Sequence, residues 1–336
     1  MPKPSLTFFC EMDGIALAAL FQDGQVLTSL KKLGANLSLG MLDLSEKRAE
    51  VVKKLNRAGV PVTAWLLLSK ERGYWTSLDT VQETAQQYGE FKQWQEKYKL
   101  AFAAIGLDIE PRIEIMSALS KNPGRETLSL LKRFIVSSDP LDFENEAHAL
   151  IDHIRSDGYA VETYQFPLIV DERMARSHVL LKTLGLPSLN SDREVLMLYS
   201  SFFPVQADSI LWSYAKEAQA VGVGSTGGGV EIAGMPPLKT LRWIDLKRDL
   251  LLASKAVKHV YIFSLEGCVQ NRYMDRLCNL NWQTEVLPPE KPAAGIWIIR
   301  RLFQGLMWAF SHPFDAILGI LLVNTVWNFL RRITRA

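Results

Sequence analysis

Asp108-Ile109-Glu110-Pro111 closes the apolar run that begins at Phe102. On a β-strand, residues two apart point to the same side. Asp108 and Glu110 would then face together, roughly 6–7 Å apart along the strand. Two carboxylates ending one buried strand are costly to bury without partners. Paired carboxylates of this kind serve general acid–base chemistry and glycosidic bond cleavage. The structural alternative is a solvated or salt-bridged strand end.

The surrounding pattern supplies a scaffold. Apolar runs of strand length occur at Leu6–Met12, Asn36–Leu44, Val60–Leu68, Ala101–Glu110, Tyr159–Pro167, Glu194–Tyr199, Ala220–Gly224 and His259–Leu265. Helical patterns separate them: a stretch ending near Gly34, then Glu46–Ala58, which Ser45 caps and Gly59 ends, then a helix to about Tyr98 that the capping-box pattern of Thr76 and Asp79 opens, and later stretches that include Glu126–Val136 and Glu172–Leu184. Near-continuous apolar strands alternating with helices predict a parallel sheet covered on both faces. Eight such units match the size and order of a (β/α)₈ TIM barrel. An open doubly wound sheet is the rival, but no phosphate loop follows the first strand. Gly222–Gly227 formally matches GxGxxG, yet it does not open a helix, so a dinucleotide site is rejected in favour of a mobile loop.

In a TIM barrel the strand C-termini build the active site. Those ends carry Glu11, Asp43, Tyr74, Trp75, Asp108, Glu110, Glu162, Tyr164, Gln165, Tyr199 and Glu266. A mouth rich in acids and aromatics suits a sugar, because aromatic faces cover the ring and polar groups hold its hydroxyls. Trp75, Tyr74, Tyr164, Gln165 and Glu11 are the substrate-binding candidates.

Gly106-Leu107-Asp108-Ile109-Glu110 resembles the end of the strand-four motif D-G-x-D-x-D-x-E of family 18 chitinase-like glycosidases. Met197-Leu198-Tyr199-Ser200 resembles that family's strand-six M-x-Y-D. The resemblance implies Glu110 as general acid, Asp108 orienting the substrate's acetamido group for attack on the anomeric carbon, and Tyr199 hydrogen-bonding that group. The two earlier motif aspartates stand here as Ala103 and Gly106, the Asp after the tyrosine as Ser200, and Phe263 is the aromatic nearest the family's strand-eight Trp. Glu110-Pro111 also resembles the acid/base motif of retaining two-carboxylate barrels, in which Glu266 or Glu162 would be the nucleophile about 5–5.5 Å away.

Composition narrows the classes. Net charge is +2, with no basic tract that would suggest nucleic acid. The five histidines show no zinc-ligand spacing and the three cysteines no CxxC, so neither a metal nor a cofactor is expected. Acids at Glu11, Asp13 and Asp23 interrupt any secretory h-region.

The expected organisation is a barrel over 1–286, a Pro-rich linker over 287–295 and a hydrophobic segment over 296–336. That last segment holds Trp297, Trp308 and Trp327 and is flanked by Arg300-Arg301 and Arg331-Arg332. Flanking Arg and interfacial Trp suit a membrane. A kinked span, a re-entrant hairpin and an in-plane helix all fit, as does a helix pair packed on the barrel. The expectation is therefore a membrane-associated glycosidase-like barrel on the cytoplasmic face, acting on a glycan or glycoconjugate. The alternative is a catalytically silent barrel that binds carbohydrate or a protein partner at the membrane.

Overall fold

The computed structural model describes residues 3–121, 141–202, 205–230 and 239–317. Its eight strands are β1 (Ser5–Cys10), β2 (Asn36–Gly40), β3 (Val62–Leu66), β4 (Ala104–Ile109), β5 (Ala160–Gln165), β6 (Arg193–Met197), β7 (Ala220–Gly224) and β8 (His259–Phe263). All pair in parallel in chain order, and β8 returns to β1, closing the barrel. The expected TIM barrel is thus the fold. Each strand stops earlier than its apolar run, except β7, because the run's last residues turn out over the mouth.

Alternation along the strands separates two cores. Leu6, Phe8, Leu37, Leu39, Ile105 and Leu107 pack outward under the helices. Phe9, Trp65, Tyr164, Val195, Met197, Tyr261 and Phe263 fill the interior and mouth. Phe9 is central, with ring centroids 5.2 Å from Trp65, 4.7 Å from Tyr164 and 5.4 Å from Tyr261. Tyr164 crosses the interior to Ser38, their hydroxyls 2.7 Å apart. It can do so only because Gly106 has no side chain, since a Cβ there would lie 2.3 Å from the Tyr164 hydroxyl.

The helical layer differs from the sequence pattern in three places. The stretch before β2 is two helices, Gly14–Leu20 and Gln25–Leu33, with Gly24 left-handed between them. The expected helix over 172–184 is likewise Leu168–Met174 and Val179–Leu184. The capping box lies at Ser77 and Thr80 rather than at Thr76 and Asp79. Ser45 does cap Glu46–Arg57. The helical pattern expected over 126–136 lies outside the described residues.

A long helix, Glu290–Ser311, begins inside the stretch read as a linker and packs on the barrel's outer layer. Its anchor is Arg300, 4% exposed. The guanidinium donates to Asp171 Oδ1 at 2.8 Å and to the Ser213 carbonyl at 2.7 Å, pairs with Glu217, and stacks 3.8 Å from the Tyr214 ring centroid. Gln304 Nε2 donates to the same Asp171 oxygen at 2.7 Å. No helix among the described residues is long and apolar enough to cross a membrane, so the expected transmembrane helix finds no support there. Residues 318–336, with most of the second apolar half and its flanking arginines, lie outside the described residues.

Asp171 is fully buried, so removing its cation strands a charge in a low-dielectric environment. Arg300→Ala is expected to destabilise the chain by about 3–5 kcal/mol in urea denaturation. An unchanged midpoint would mean that this helix is not part of the folded body.

Candidate functional site

Four carboxyl groups gather over the interior aromatics at the strand C-termini: Glu11 after β1, Asp108 and Glu110 on and after β4, and Glu266 after β8. Asp108 is 3% exposed, whereas Glu11, Glu110 and Glu266 keep a partly exposed edge. Asp108 and Glu110 hydrogen-bond each other carboxyl to carboxyl. That contact requires a shared proton. No donor among the described residues completes a hydrogen bond to Asp108 Oδ1. The Trp65 indole N–H, itself without a hydrogen-bond partner among the described residues, lies close enough to oppose part of the rise in the Asp108 pKa.

The electrostatics follow from burial without a counter-ion. None of the four acids forms an ion pair among the described residues. Burial pushes Glu110 up to about 7, and the Asp108 hydrogen bond holds back part of the rise. Burial pushes Asp108 well above the carboxylate range, and the charges of Glu110 and Glu11 add to it. Burial likewise lifts Glu11 to about 8, against a short hydrogen bond from the Tyr74 hydroxyl and with the fields of Glu266 and Glu110 added. Glu266 is raised by burial, opposed by hydrogen bonds from the Glu11 amide, Ser264 and Cys10. Near neutral pH this mouth therefore holds carboxylic acids that can give up protons.

The other expected site residues fall in different places. Tyr199 is buried to 6% and close enough to Asp108, Glu110 and Glu11 that their charges raise its hydroxyl pKa beyond the effect of burial. Its ring packs 5.5 Å from Phe263 and 5.7 Å from Phe202. Tyr74 and Trp75 sit edge to face at 5.5 Å, both nearly covered, Tyr74 serving Glu11. Tyr164 is fully buried as interior packing, so it offers no open platform for a sugar. Gln165 follows it on the opposite face of β5 and donates to Thr163 at 3.1 Å, turned away from the mouth.

Glu162 pairs with Gly106 in register, two residues below the level of Asp108. There it meets Arg193 at 2.7 Å and the Tyr164 hydroxyl at 3.2 Å, as a buried structural ion pair. Asp43, another strand-end acid, is taken by Arg48 at 2.8 Å and held well below its ordinary value, burial notwithstanding. Glu266 lies in the helix Leu265–Gln270 rather than at a strand end. Glu11 feels the charges of both Glu266 and Glu110. Glu110 thus has Asp108, not Glu266, as its carboxyl partner.

The glycine loop after β7 folds over this cluster. A Cβ at Gly228 would lie 2.4 Å from Glu266 Oε1, and one at Gly229 2.7 Å from the Phe263 ring and 3.2 Å from Glu11 Oε2. Both have positive φ. The Val230 amide donates to Glu11. These glycines bring backbone against carboxylates, a poor setting for an anion. Sequence reasoning had not singled out Trp65 for the site. The signal was present in the alternation Thr63, Trp65, Leu67, which turns every second residue inward.

No protein-family model matches the chain, and no curated protein matches it. Solved structures similar to it include a GH18 chitinase from Pseudoalteromonas aurantia (10% identity, 82% of this chain and 99% of that one, TM-score 0.46). A 3-keto-D-glucoside 4-epimerase from E. coli (12%, 82% and 99%, TM-score 0.43) and a xylose isomerase domain protein from Planctomyces limnophilus (10%, 82% and 96%, TM-score 0.41) are similar too. These proteins differ in activity, and likeness at this level distinguishes none of them as a functional relative.

Glu11 carries the clearest pH signature. The folded chain holds its proton up to about pH 8, whereas the unfolded chain releases it near the ordinary value of 4.5. Between those values the folded state binds more protons, so stability falls as pH rises. Glu11→Gln, which cannot ionise, should gain about 1–3 kcal/mol over the parent chain at pH 8 and little at pH 4.5. Chemical denaturation at the two pH values measures the difference, and an equal effect at both would refute the assignment.

Proposed function

We propose that the chain is a glycosidase-like hydrolase acting on a glycan or glycoconjugate, held at a membrane by its C-terminal segment with the barrel on the cytoplasmic side. One observation carries the hydrolase reading: Glu110 shares a hydrogen bond with buried Asp108, forms no ion pair among the described residues and is raised to about 7. A general acid must hold a proton at working pH and be able to release it. In the substrate-assisted scheme that the family 18 resemblance implies, Glu110 gives its proton to the glycosidic oxygen as the bond to the anomeric carbon breaks. The substrate's acetamido oxygen attacks that carbon, with Asp108 and Tyr199 holding the group. Water then opens the cyclic intermediate and returns a proton to Glu110.

A catalytically silent barrel that binds carbohydrate or a protein partner is the second reading. It is favoured by Ala103, Gly106 and Ser200 at the positions of motif aspartates, and by the burial of Tyr74, Trp75 and Tyr164. Ser200 gives its hydroxyl to Asp249 on the helix Trp243–Ala256 instead of to the mouth.

Aryl glycosides of N-acetylated sugars separate the two. The hydrolase reading expects turnover that falls about 10²–10⁴-fold in Glu110→Gln at unchanged fold. It also expects kcat/KM to decline as pH rises through about 7, where Glu110 loses its proton. Saturable binding of the same sugars without turnover would leave the silent barrel.

A further inference from the structure

We propose that the outer face of the helix Glu290–Ser311 lies in the plane of a lipid surface and is the part of the described chain that touches the bilayer. This rests on the membrane tether of the reading above and names its contact surface. An ordinary surface helix turns its polar side to water and its apolar stripe to the core. Here the sides are exchanged. Ala293, Arg300, Gln304 and Met307, spaced at seven, four and three residues, form the buried stripe. Its polar members are spent on Asp171, Glu217 and Ser213.

The opposite side shows Ile298, Ile299, Leu302, Leu306 and Phe310, each between 55% and 66% exposed. Between Pro292 and Phe310 the only exposed charge is Arg301, at the margin of this face, its guanidinium 4.8 Å from the Trp297 ring centroid. Trp297 and Trp308, 48% and 39% exposed, border the face where headgroups would lie. A cation that snorkels beside an indole suits the same depth.

The face continues. Phe314 and Ile317 are 86% and 57% exposed in the turn that follows. The sequence beyond the described residues is uncharged and largely apolar from Leu318 to Leu330, with Asn324, Thr325 and Asn328 as its polar members, and then reads Arg331-Arg332. The helix itself cannot cross a bilayer, and Arg300 ties its inner side to the barrel along its middle. A membrane therefore meets it side on, which sets the barrel wall built by Leu168–Met174, Val179–Leu184 and Ala207–Ala215 next to the lipid.

The test is flotation of the full chain with phosphatidylcholine vesicles containing phosphatidylserine. It is run on the parent chain and on Ile298→Ser/Leu302→Ser/Leu306→Ser, whose changes lie outside both the barrel core and the mouth. The expected result is that the parent floats and the triple variant partitions at least about tenfold less, with an unchanged melting temperature. Brominated lipid should quench parent tryptophan fluorescence, and Trp297→Phe/Trp308→Phe should remove that quenching. If parent and triple variant float equally, the inference fails while a tether through residues 318–336 stands. If the parent does not float, both fail. A parent dimer in light scattering that the triple variant dissolves, without vesicle binding, would assign the face to a second copy and overturn the inference.

Discussion

Burial of carboxyl groups without a counter-ion is the constraint on which the rest of this site depends. Asp108 lies where water scarcely reaches, and the charges that act on it among the described residues are those of other acids. An isolated charge there is prohibitively costly, so the groups keep protons and share them. That single condition raises Glu110, Asp108, Glu11 and Glu266 together. Elsewhere the chain supplies cations to its acids: Arg48 to half-buried Asp43, Arg193 to buried Glu162 and Arg300 to buried Asp171. Glu172, buried in the frame and likewise raised to about 7, is held by the Leu180 and Leu181 amides, so what distinguishes the mouth is that four such acids gather there.

The barrel maintains that condition by shape. Phe9, Trp65, Tyr164 and Tyr261 close the interior beneath the acids, and glycines admit what would otherwise collide. Gly106 makes room for Tyr164, and Gly228 and Gly229 let the loop after β7 lie against Glu266, Phe263 and Glu11. A general acid poised near neutrality needs both features, a dry floor and a lid of backbone, because water or a cation would return its pKa to the ordinary range.

The barrel was legible in the sequence because eight buried strands write themselves as apolar runs, and β7 was read with its observed bounds. The Asp108–Glu110 pair was legible for the same reason: a period of two is fixed by strand geometry alone. Depth and partners were not. Glu162, Tyr164 and Gln165 looked equivalent as strand-end residues, yet one pairs with Arg193, one fills the interior and one faces the helices. Parity could have excluded Gln165 once Tyr164 was placed inward, but only the register shows how far along the barrel Glu162 sits. The Tyr74–Glu11 contact spans β1 and the loop after β3, and no local pattern encodes it. The C-terminal helix was misjudged at its start because Pro289 and Pro292 suggest a linker, whereas proline is well accepted in a first helical turn.

The central claim is that Glu110 keeps a proton near neutral pH because it is buried against Asp108 with no ion-pair partner among the described residues. The most direct measurement is a carbon-13 NMR titration of the glutamate carboxyls in the full chain, with Glu110→Gln assigning the resonance. The account predicts a Glu110 midpoint near 7 that shifts in Asp108→Asn. A midpoint near the ordinary 4.5, indifferent to Asp108, would contradict it.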